Sequence, residues 1–454
     1  MEWQRCPELD ERTPLSLMAA WPRSTPLAML HTNPADVSGR WSVLGVPSGH
    51  IEANATSGTW RGPDDLELQK AASLGALAAI DAIDARRMTA TLHAETPPFA
   101  GWIACLHYEL GEVLEPAVRR AAGQDTTALV TLLWCPDALL HDRLTGQWWS
   151  AGNPPTPAST SLLGEEMSVL GPFVSTPPSA DWPAAVARGV EYIKAGDIFQ
   201  VNLTRRLQVD VCGDGRHFGH AALSEPQTAY GAYIEIPDTD RTIISLSPEL
   251  FISVDACGTI MSQPIKGTLP AAEPAAGLWE SAKDAAELHM IVDLMRNDLG
   301  RVCEMGSVKV PCPRRIETHP TVHHGVGEIV GTLRQDISLV ELLAATFPAG
   351  SITGAPKIRA MQIARELEPV SRGLYCGAVG MLGPGQQATF SVAIRTAVIE
   401  DGTLTYGVGC GIVADSDPLV ELAESETKAD VLRRTLSRPC GTPSVAAAGP
   451  RSLA

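Results

Sequence analysis

Read for its alternation of apolar and polar positions, the chain divides into helices and strands that do not follow a regular strand–helix–strand rhythm. Asp181 precedes Trp182-Pro183, and Val186, Val190 and Ile193 recur at i, i+4 and i+7 before Gly196. That pattern predicts a helix with Asp181 as N-cap, Pro183 in the first turn and a glycine stop. IFQVNLTRRL and TIISLSPELFISV alternate as strands do, and residues 285–300 place Leu288, Ile291 and Met295 on one helical face. ATFSVAIRTAVI and TLTYGVGCGIV flank Glu400-Asp401-Gly402, a hairpin signal. A last helix, near 418–437, carries Glu421, Glu424 and Lys428 at i, i+3 and i+7, hence on one face. The expectation is an α+β fold of antiparallel sheets with helices packed outside.

Residues 151–182 break the pattern. They are rich in Pro, Ser and Thr and read as a surface connection between an N-terminal region, 1–150, and a C-terminal region, 183–437. The tail, 438–454, reads as disordered. No internal repeat is visible. The chain has 454 residues, 44% hydrophobic and 19% charged, a soluble composition with length for a large core. Its net charge of −17 argues against nucleic acid or an anionic membrane surface as partner. An anionic substrate would therefore need a local cationic pocket or a metal. The first residues lack the apolar core of a signal peptide, and no apolar run is long enough to span a membrane. The ten cysteines are scattered without a C-x-x-C, which favours free thiols in a reducing cytoplasm over disulfides or zinc.

Several stretches bear chemistry. Glu287 lies early in one helix, and Glu421 and Glu424 share a face of another. Glutamates from two helices can hold Mg²⁺, and equally they can be solvated surface. The absence of H-E-x-x-H or a His/Cys cluster disfavours zinc. FPAGSITGAPKIRAM fails as a P-loop because Gly350 and Gly354 are wrongly spaced and Pro356 precedes Lys357. GVGCGIVADS, at a strand end, either offers backbone amides to a carboxylate or is a turn that needs glycine for steric reasons. Cys410 within it has no following His-acid pair, so a nucleophile elbow is disfavoured. His323 and His324 are adjacent, so in a strand only one can face a site. QPIKGTLP, residues 263–270, sets an amine where an apolar run meets a Gly-Thr turn. Lys266 is either a snorkelling surface lysine or an amine whose pKa burial lowers until it can act as a nucleophile.

Taken in order, IFQVNLTRRL, SPELF, QPIKGT, KDAAELHMIVDLMRNDLGRV, HHGV, FPAGSITGAPKIRAM, YCGAVG, AIRT, GCGIVADS and ESETKAD resemble the chorismate-utilising enzymes across about 190–430. PLAMLHTN and GWIACLHYELGEV extend the resemblance more weakly into the N-terminal region. It implies two subdomains with facing antiparallel sheets, outer helices and a site in the cleft. Within the family, PIKGT resembles the aminodeoxychorismate-forming branch; anthranilate synthases, the runner-up, usually carry PIAGT. The resemblance implies that Lys266 attacks C2 of chorismate with loss of the C4 hydroxyl, and that ammonia then attacks C4. It implies Glu249 as the acid on the departing hydroxyl and His324 near C4. Mg²⁺ would sit on Glu287 and Glu424, with Glu421 acting through water. Gly267, Thr268, Gly409 and Gly411 would surround the ring carboxylate. Tyr375 and Arg395 would clamp the enolpyruvyl carboxylate, and Lys428 would balance the glutamates. Water-activating relatives are expected to carry a lysine where Gln200 sits. The chain shows no glutaminase segment, so ammonia would come from a separate glutamine amidotransferase subunit. The tryptophan-binding elements of the family are not clear here. Departures are Cys410 for Gly or Ala, Ala229 for the proline before Tyr230, and YELG for YDLG.

Overall fold

The structure, a computed structural model, describes residues 1–33, 39–89, 97–118, 127–225 and 229–436. The tail expected to be disordered lies outside the described residues. Two large antiparallel sheets face one another, one of 13 strands and one of 11. The first runs from Gln147–Ala151, Asp137–Asp142, Trp41–Val46 and Ala28–Thr32 into Tyr230–Glu235, Thr242–Ser247, Thr396–Glu400, Thr403–Ile412 and Gln200–Cys212. The second runs from Ile265–Pro270, Val322–Thr332, Thr259–Gln263 and Leu250–Val254 through Ala388–Val392 and Ala378–Leu382 to Trp102–Leu106, Val130–Trp134 and Gly49–Ala53. Segments from before residue 150 and after residue 183 share both sheets. Tyr230 pairs with Thr32 in the first, and Ala378 with Leu106 in the second.

Strand alternation explains the layering. Ala232, Ile234 and Ile243 of the first sheet meet Ile103, Leu133, Val379 and Met381 of the second in a core between the sheets. Tyr233 and Ile244 point the opposite way, toward the helices Pro14–Ala19, Gly215–Leu223 and Pro418–Leu436. Trp102, Ala378 and Leu382 likewise face the helices Ala76–Met88 and Ala282–Gly300 on the far side. Strands buried on both faces read as nearly continuous apolar runs, and a side-chain period of two sends neighbours into different cores.

The predicted helices form at Trp182–Lys194, Ala282–Gly300 and Pro418–Leu436. Leu288, Ile291 and Met295 are buried as their spacing requires. Asp181 occupies the cap position, but its side chain makes no capping hydrogen bond. Asp401 and Gly402 both have positive φ, 49° and 70°, the two-residue geometry whose twist suits a hairpin. Two stretches that read as single strands are each two strands in different sheets. TIISLSPELFISV leaves the first sheet after Ser247 and enters the second at Leu250; ATFSVAIRTAVI leaves the second after Val392 and enters the first at Thr396. GVGCGIVADS is strand as far as Ile412, as the hairpin reading of TLTYGVGCGIV requires, and its turn reading applies only beyond that residue.

Part of the 151–182 connection is tied down. Val174–Thr176 pairs with the Gln200–Cys212 strand, whose Arg205 side chain is wholly buried. The Arg205 guanidinium donates to Ser175 at 3.1 Å, Ser179 at 2.9 Å, Ser425 at 3.1 Å and Glu426 at 2.6 Å. One cation thus joins the connection, the strand and the last helix. Arg205→Ala removes that junction and is expected to lower the unfolding free energy by about 3 kcal/mol in urea titrations, with an unchanged m-value.

Candidate active site

The two points where the chain passes between the sheets lie side by side. Val392 N–H donates to the Glu249 carbonyl at 3.0 Å, and Leu246 N–H donates to the Arg395 carbonyl at 2.9 Å. Arg395 takes a positive φ of 51° at its crossing. Glu249 and Arg395 are therefore carried by the inter-sheet connections, at the floor of a cleft. Its walls are the Gln200–Cys212 and Thr403–Ile412 strands on one side and Ile265–Pro270 and Val322–Thr332 on the other.

Lys266 projects into this cleft from a strand that is irregular: its pairing with Val322–Thr332 shifts register between Ile265 and Thr268. Gly325 accommodates the irregularity, since a Cβ there would stand 2.5 Å from the Lys266 carbonyl oxygen. Across the cleft, a Cβ at Gly411 would stand 3.3 Å from Lys266 Nζ and 2.7 Å from the Gln200 amide nitrogen. The amine reaches the opposite sheet because glycine leaves room for it. Burial is the largest influence on Lys266 and lowers its pKa; Glu287, Glu249 and Glu424 oppose that shift and Lys428 reinforces it.

Glu249 is 4% exposed, and burial pushes its carboxyl up to about 7, against the Ser351 hydrogen bond and the Lys266 charge. Ser351 Oγ donates to Glu249 Oε1 at 2.6 Å. Burial thus moves the acid toward its protonated form and the amine toward its free-base form. These directions favour a carboxyl that can act as a general acid and an amine that can act as a nucleophile.

His324 is buried, with Nδ1 3.0 Å from Thr268 Oγ1, and burial together with Arg395 and His319 lowers its pKa to about 3. It is neutral at physiological pH, and its buried Nε2 has no hydrogen-bond partner. His323 takes the other face, as adjacency requires, between Thr318 and the Glu273 carbonyl. Gly267 has a positive φ of 83°, which turns the chain toward Thr268. Tyr375 lies against Gly407, where any Cβ would collide with its ring, and burial raises its pKa well above the ordinary phenol value. Burial lowers the pKa of Arg395, partly offset by Tyr406.

The last helix brings the acids to the cleft mouth. A carboxylate oxygen of Glu421, one of Glu424 and the Cys410 Sγ lie within 4.8 Å of one another. Glu424 pairs with Lys428 at 2.7 Å, both side chains about half exposed, and Lys428 also donates to the Gly409 carbonyl at 2.9 Å. Cys410 faces this helix, 3.4 Å from the Glu421 carbonyl, and burial pushes its thiol up, so it offers no thiolate. Glu287 stands outside that group, 3.9 Å from Lys283. Burial raises its pKa, with Asp284 and Glu424 adding to the rise and Lys266 and Lys283 opposing it. The donors are hard carboxylate oxygens, two on the last helix and Glu287 on another helix, close enough for Glu424 to raise the Glu287 pKa. That set suits Mg²⁺ held by a few carboxylates and completed by other oxygens.

Sequence reading assigned no role to Ser351 or to Glu109. Glu109, in YELG, accepts the backbone N–H groups of Arg372 at 2.6 Å and Gly373 at 3.1 Å, and burial pushes it up to about 7. Arg372 in turn holds Glu368 with two nitrogens, donates to the Ile352 and Asn202 carbonyls, and lies 4.2 Å above the Tyr108 ring. This buried junction fixes the chain two residues before Tyr375. Ser351 lies inside FPAGSITGAP, a segment noticed only for failing as a P-loop. The signal for Glu109 is an acid set directly after the apolar strand and Tyr108, in a stretch where Glu112 is buried too.

A partly buried lysine and a buried carboxyl between facing antiparallel sheets define a cleft site in an α+β fold. The profile described as chorismate binding enzyme matches residues 42–434, and the chain belongs to that family. It is 41% identical over 255 residues to aminodeoxychorismate synthase component 1 of Escherichia coli, covering 55% of this chain and 56% of that protein. It is 40% identical over 248 residues to anthranilate synthase component 1 of Geobacillus stearothermophilus, covering 53% and 48%. In these alignments the chain spans about half the length of the curated relatives it matches. The crystal structure of anthranilate synthase component I from Streptococcus pneumoniae superposes with a TM-score of 0.73 at 26% identity, covering 87% of this chain and 93% of that one.

A test follows from the raised carboxyl. An acid whose folded pKa exceeds its ordinary value of 4.5 binds its proton more tightly in the folded state. Stability from that proton is full below pH 4.5 and is lost as pH rises through about 7. Glu249→Gln keeps an acceptor for Ser351 and removes the titration. Its stability relative to wild type is expected to grow across that window and to level off above it at a gain on the order of 2 kcal/mol. Chemical denaturation at pH 5, 6, 7 and 8 measures this; a difference independent of pH would contradict the assignment.

Proposed function

We propose that the chain aminates chorismate at C4, yielding 4-amino-4-deoxychorismate for p-aminobenzoate and folate synthesis, with Lys266 as covalent nucleophile. The observation that carries this reading is the Lys266 amine, desolvated in the cleft and facing Gly411. Alanine at that position, usual in anthranilate synthases, could not attack the ring. The likeness to the anthranilate synthase of Geobacillus stearothermophilus keeps nitrogen transfer to C2 as the second reading.

In the proposed sequence Nζ of Lys266 attacks C2, the ring double bonds shift, and the C4–O bond breaks. Glu249 gives its proton to the departing oxygen, which leaves as water. Ammonia then attacks C4, the double bonds shift back, and the C2–N bond breaks to restore the free amine. The proton released by the new ammonium returns to Glu249. Neutral His324 directs an unpartnered Nε2 into the cleft and can hydrogen-bond near C4. Gln200 is fully buried with neither amide atom partnered. A neutral amide there cannot deprotonate water, which supports ammonia over water as the nucleophile. Arg395 and Tyr375 bind the enolpyruvyl carboxylate, while Gly267, Thr268, Gly409 and Gly411 give backbone and hydroxyl donors to the ring carboxylate. Lys428 offsets the glutamates. Mg²⁺ on Glu287 and Glu424, with Glu421 through water, would neutralise the ring carboxylate and polarise the ring. Ammonia is proposed to come from a separate glutamine amidotransferase subunit. A cytoplasmic location accords with every described cysteine being a free thiol. Among the described residues no helix is long and apolar enough to cross a membrane.

The protein incubated with chorismate, Mg²⁺ and ammonium is expected to form 4-amino-4-deoxychorismate, identified by mass and chromatography. Lys266→Ala is expected to lower that product at least tenfold or to replace it with anthranilate. Anthranilate from the wild type would overturn the C4 reading. Adding a glutaminase subunit from an aminodeoxychorismate synthase is expected to confer glutamine-dependent turnover; ammonium-only activity in its presence would reject the partner.

A further inference from the structure

One cavity of the molecule lies apart from the cleft. It measures about 880 Å³ and is lined by Trp3, Trp60, Trp102, Trp134, Trp149 and Phe99. Half of the chain's ten tryptophans meet there. Trp102 and Trp134 are cross-strand partners with ring centroids 5.1 Å apart, and Trp60 follows at 6.3 Å from Trp102. The Trp60 indole is fixed by a 2.9 Å bond from its N–H to the Pro63 carbonyl. Only Trp102 is buried; the other four indoles are partly exposed and line the cavity wall. Trp3, Trp60, Trp134 and Trp149 pack in part against the cores, and the part of each left exposed lines the cavity, where an aromatic face can meet a ligand.

The charges around the cavity are lopsided. Arg86 is taken up by Asp65, at 2.7 Å, and Glu67, at 2.9 Å. Arg87 is bound to Asp84 at 2.7 Å and to the Gln387 carbonyl at 2.6 Å. The lining carboxylates of Glu2 and Asp64 have no ion-pair partner among the described residues. The Met1 α-amino group also lines the cavity and offsets one of these two, and with Glu67 and Asp84 beside the arginines the surroundings stay net negative. Aromatic faces with spare carboxylates attract organic cations, above all those with weakly hydrated, methylated or aromatic heads. The volume suits a small molecule. The cavity is remote from Lys266. Trp102–Leu106 lies six strands along the second sheet from Ile265–Pro270, roughly 30 Å at ordinary strand spacing.

We propose that this tryptophan-lined cavity is a second binding site, for a small organic cation bearing a quaternary ammonium or an aromatic head. The site works independently of the cleft and of the reaction assigned to it.

Isothermal titration of the full chain with benzyltrimethylammonium, and with benzyl alcohol as its neutral counterpart, tests the proposal. The cation is expected to bind at least fivefold more tightly than the alcohol. Trp60→Ala, on the edge strand Gly58–Arg61, is expected to weaken it at least tenfold. Asp64→Asn, an exposed change that spares the fold, is expected to weaken it about threefold, in line with one charge acting through solvent. Binding should be unaffected by saturating chorismate and by Lys266→Ala. Equal affinity for cation and alcohol, no effect of either cavity variant, or competition with chorismate would each overturn the proposal.

Discussion

A primary amine held largely out of water between two sheets is the constraint around which the cleft is arranged. An isolated ammonium in such a place is strongly disfavoured, so the amine either loses its proton or is surrounded by carboxylates. Here both forces act: burial lowers the Lys266 pKa, and Glu287, Glu249 and Glu424 resist. The same burial raises Glu249 to about 7, so the pair is drawn toward two neutral groups. Neutral acid and neutral base differ from an ion pair by one proton transfer, and a low-dielectric site makes that difference small. The walls follow from the amine's position. Gly325 admits the irregular strand that carries it, and Gly411 leaves the space its Nζ occupies.

The sheet crossings explain why acid and clamp meet at one place. A strand confined to one sheet can offer a side chain only to one of two faces. The segment between Ser247 and Leu250, and that between Val392 and Thr396, pass from sheet to sheet and hold their side chains in the gap itself. Hydrogen bonds between the two crossings, Val392 to Glu249 and Leu246 to Arg395, tie the positions of Glu249 and Arg395 together. Because the N-terminal strands complete both sheets, they also brace the cleft. Glu109 carries this to a particular contact, the backbone of Arg372 and Gly373 just before Tyr375.

The elements with a strong period were legible in the sequence. Leu288, Ile291 and Met295, the Asp401-Gly402 turn and the final helix needed only local patterning, since each is decided by neighbours within a few residues. The crossings were not legible. TIISLSPELFISV reads as one strand because both of its halves are strands buried on both faces, and such a run does not say which sheet a residue belongs to. GVGCGIVADS read both as the end of a hairpin strand and as a glycine turn, because glycines are poor strand formers. Its glycines are strand residues whose missing side chains make room for Leu203 and Thr204 at Gly409, and for Gln200 and Lys266 at Gly411. Tertiary crowding set that preference, and a single sequence does not display it. The adjacency of His323 and His324 did yield one residue facing the cleft and one facing away, because strand geometry alone decides it.

The two ends of the second sheet use opposite means to the same end, the handling of charge in an acidic protein. At the Lys266 edge the side chains are polar and buried, and their charges are tuned by desolvation and by one another. At the tryptophan end the carboxylates of Glu2 and Asp64 stay in solvent, and the selectivity lies in aromatic faces that favour a cation without a salt bridge. A net charge of −17 supplies a general attraction for cations that acts over only about 8 Å in physiological salt, so it concentrates them without choosing among them. Choice has to be made locally. In the cleft it is made by burial, which excludes any ion not met by a partner of opposite sign. In the tryptophan cavity it is made by shape and polarisability, which exclude strongly hydrated ions.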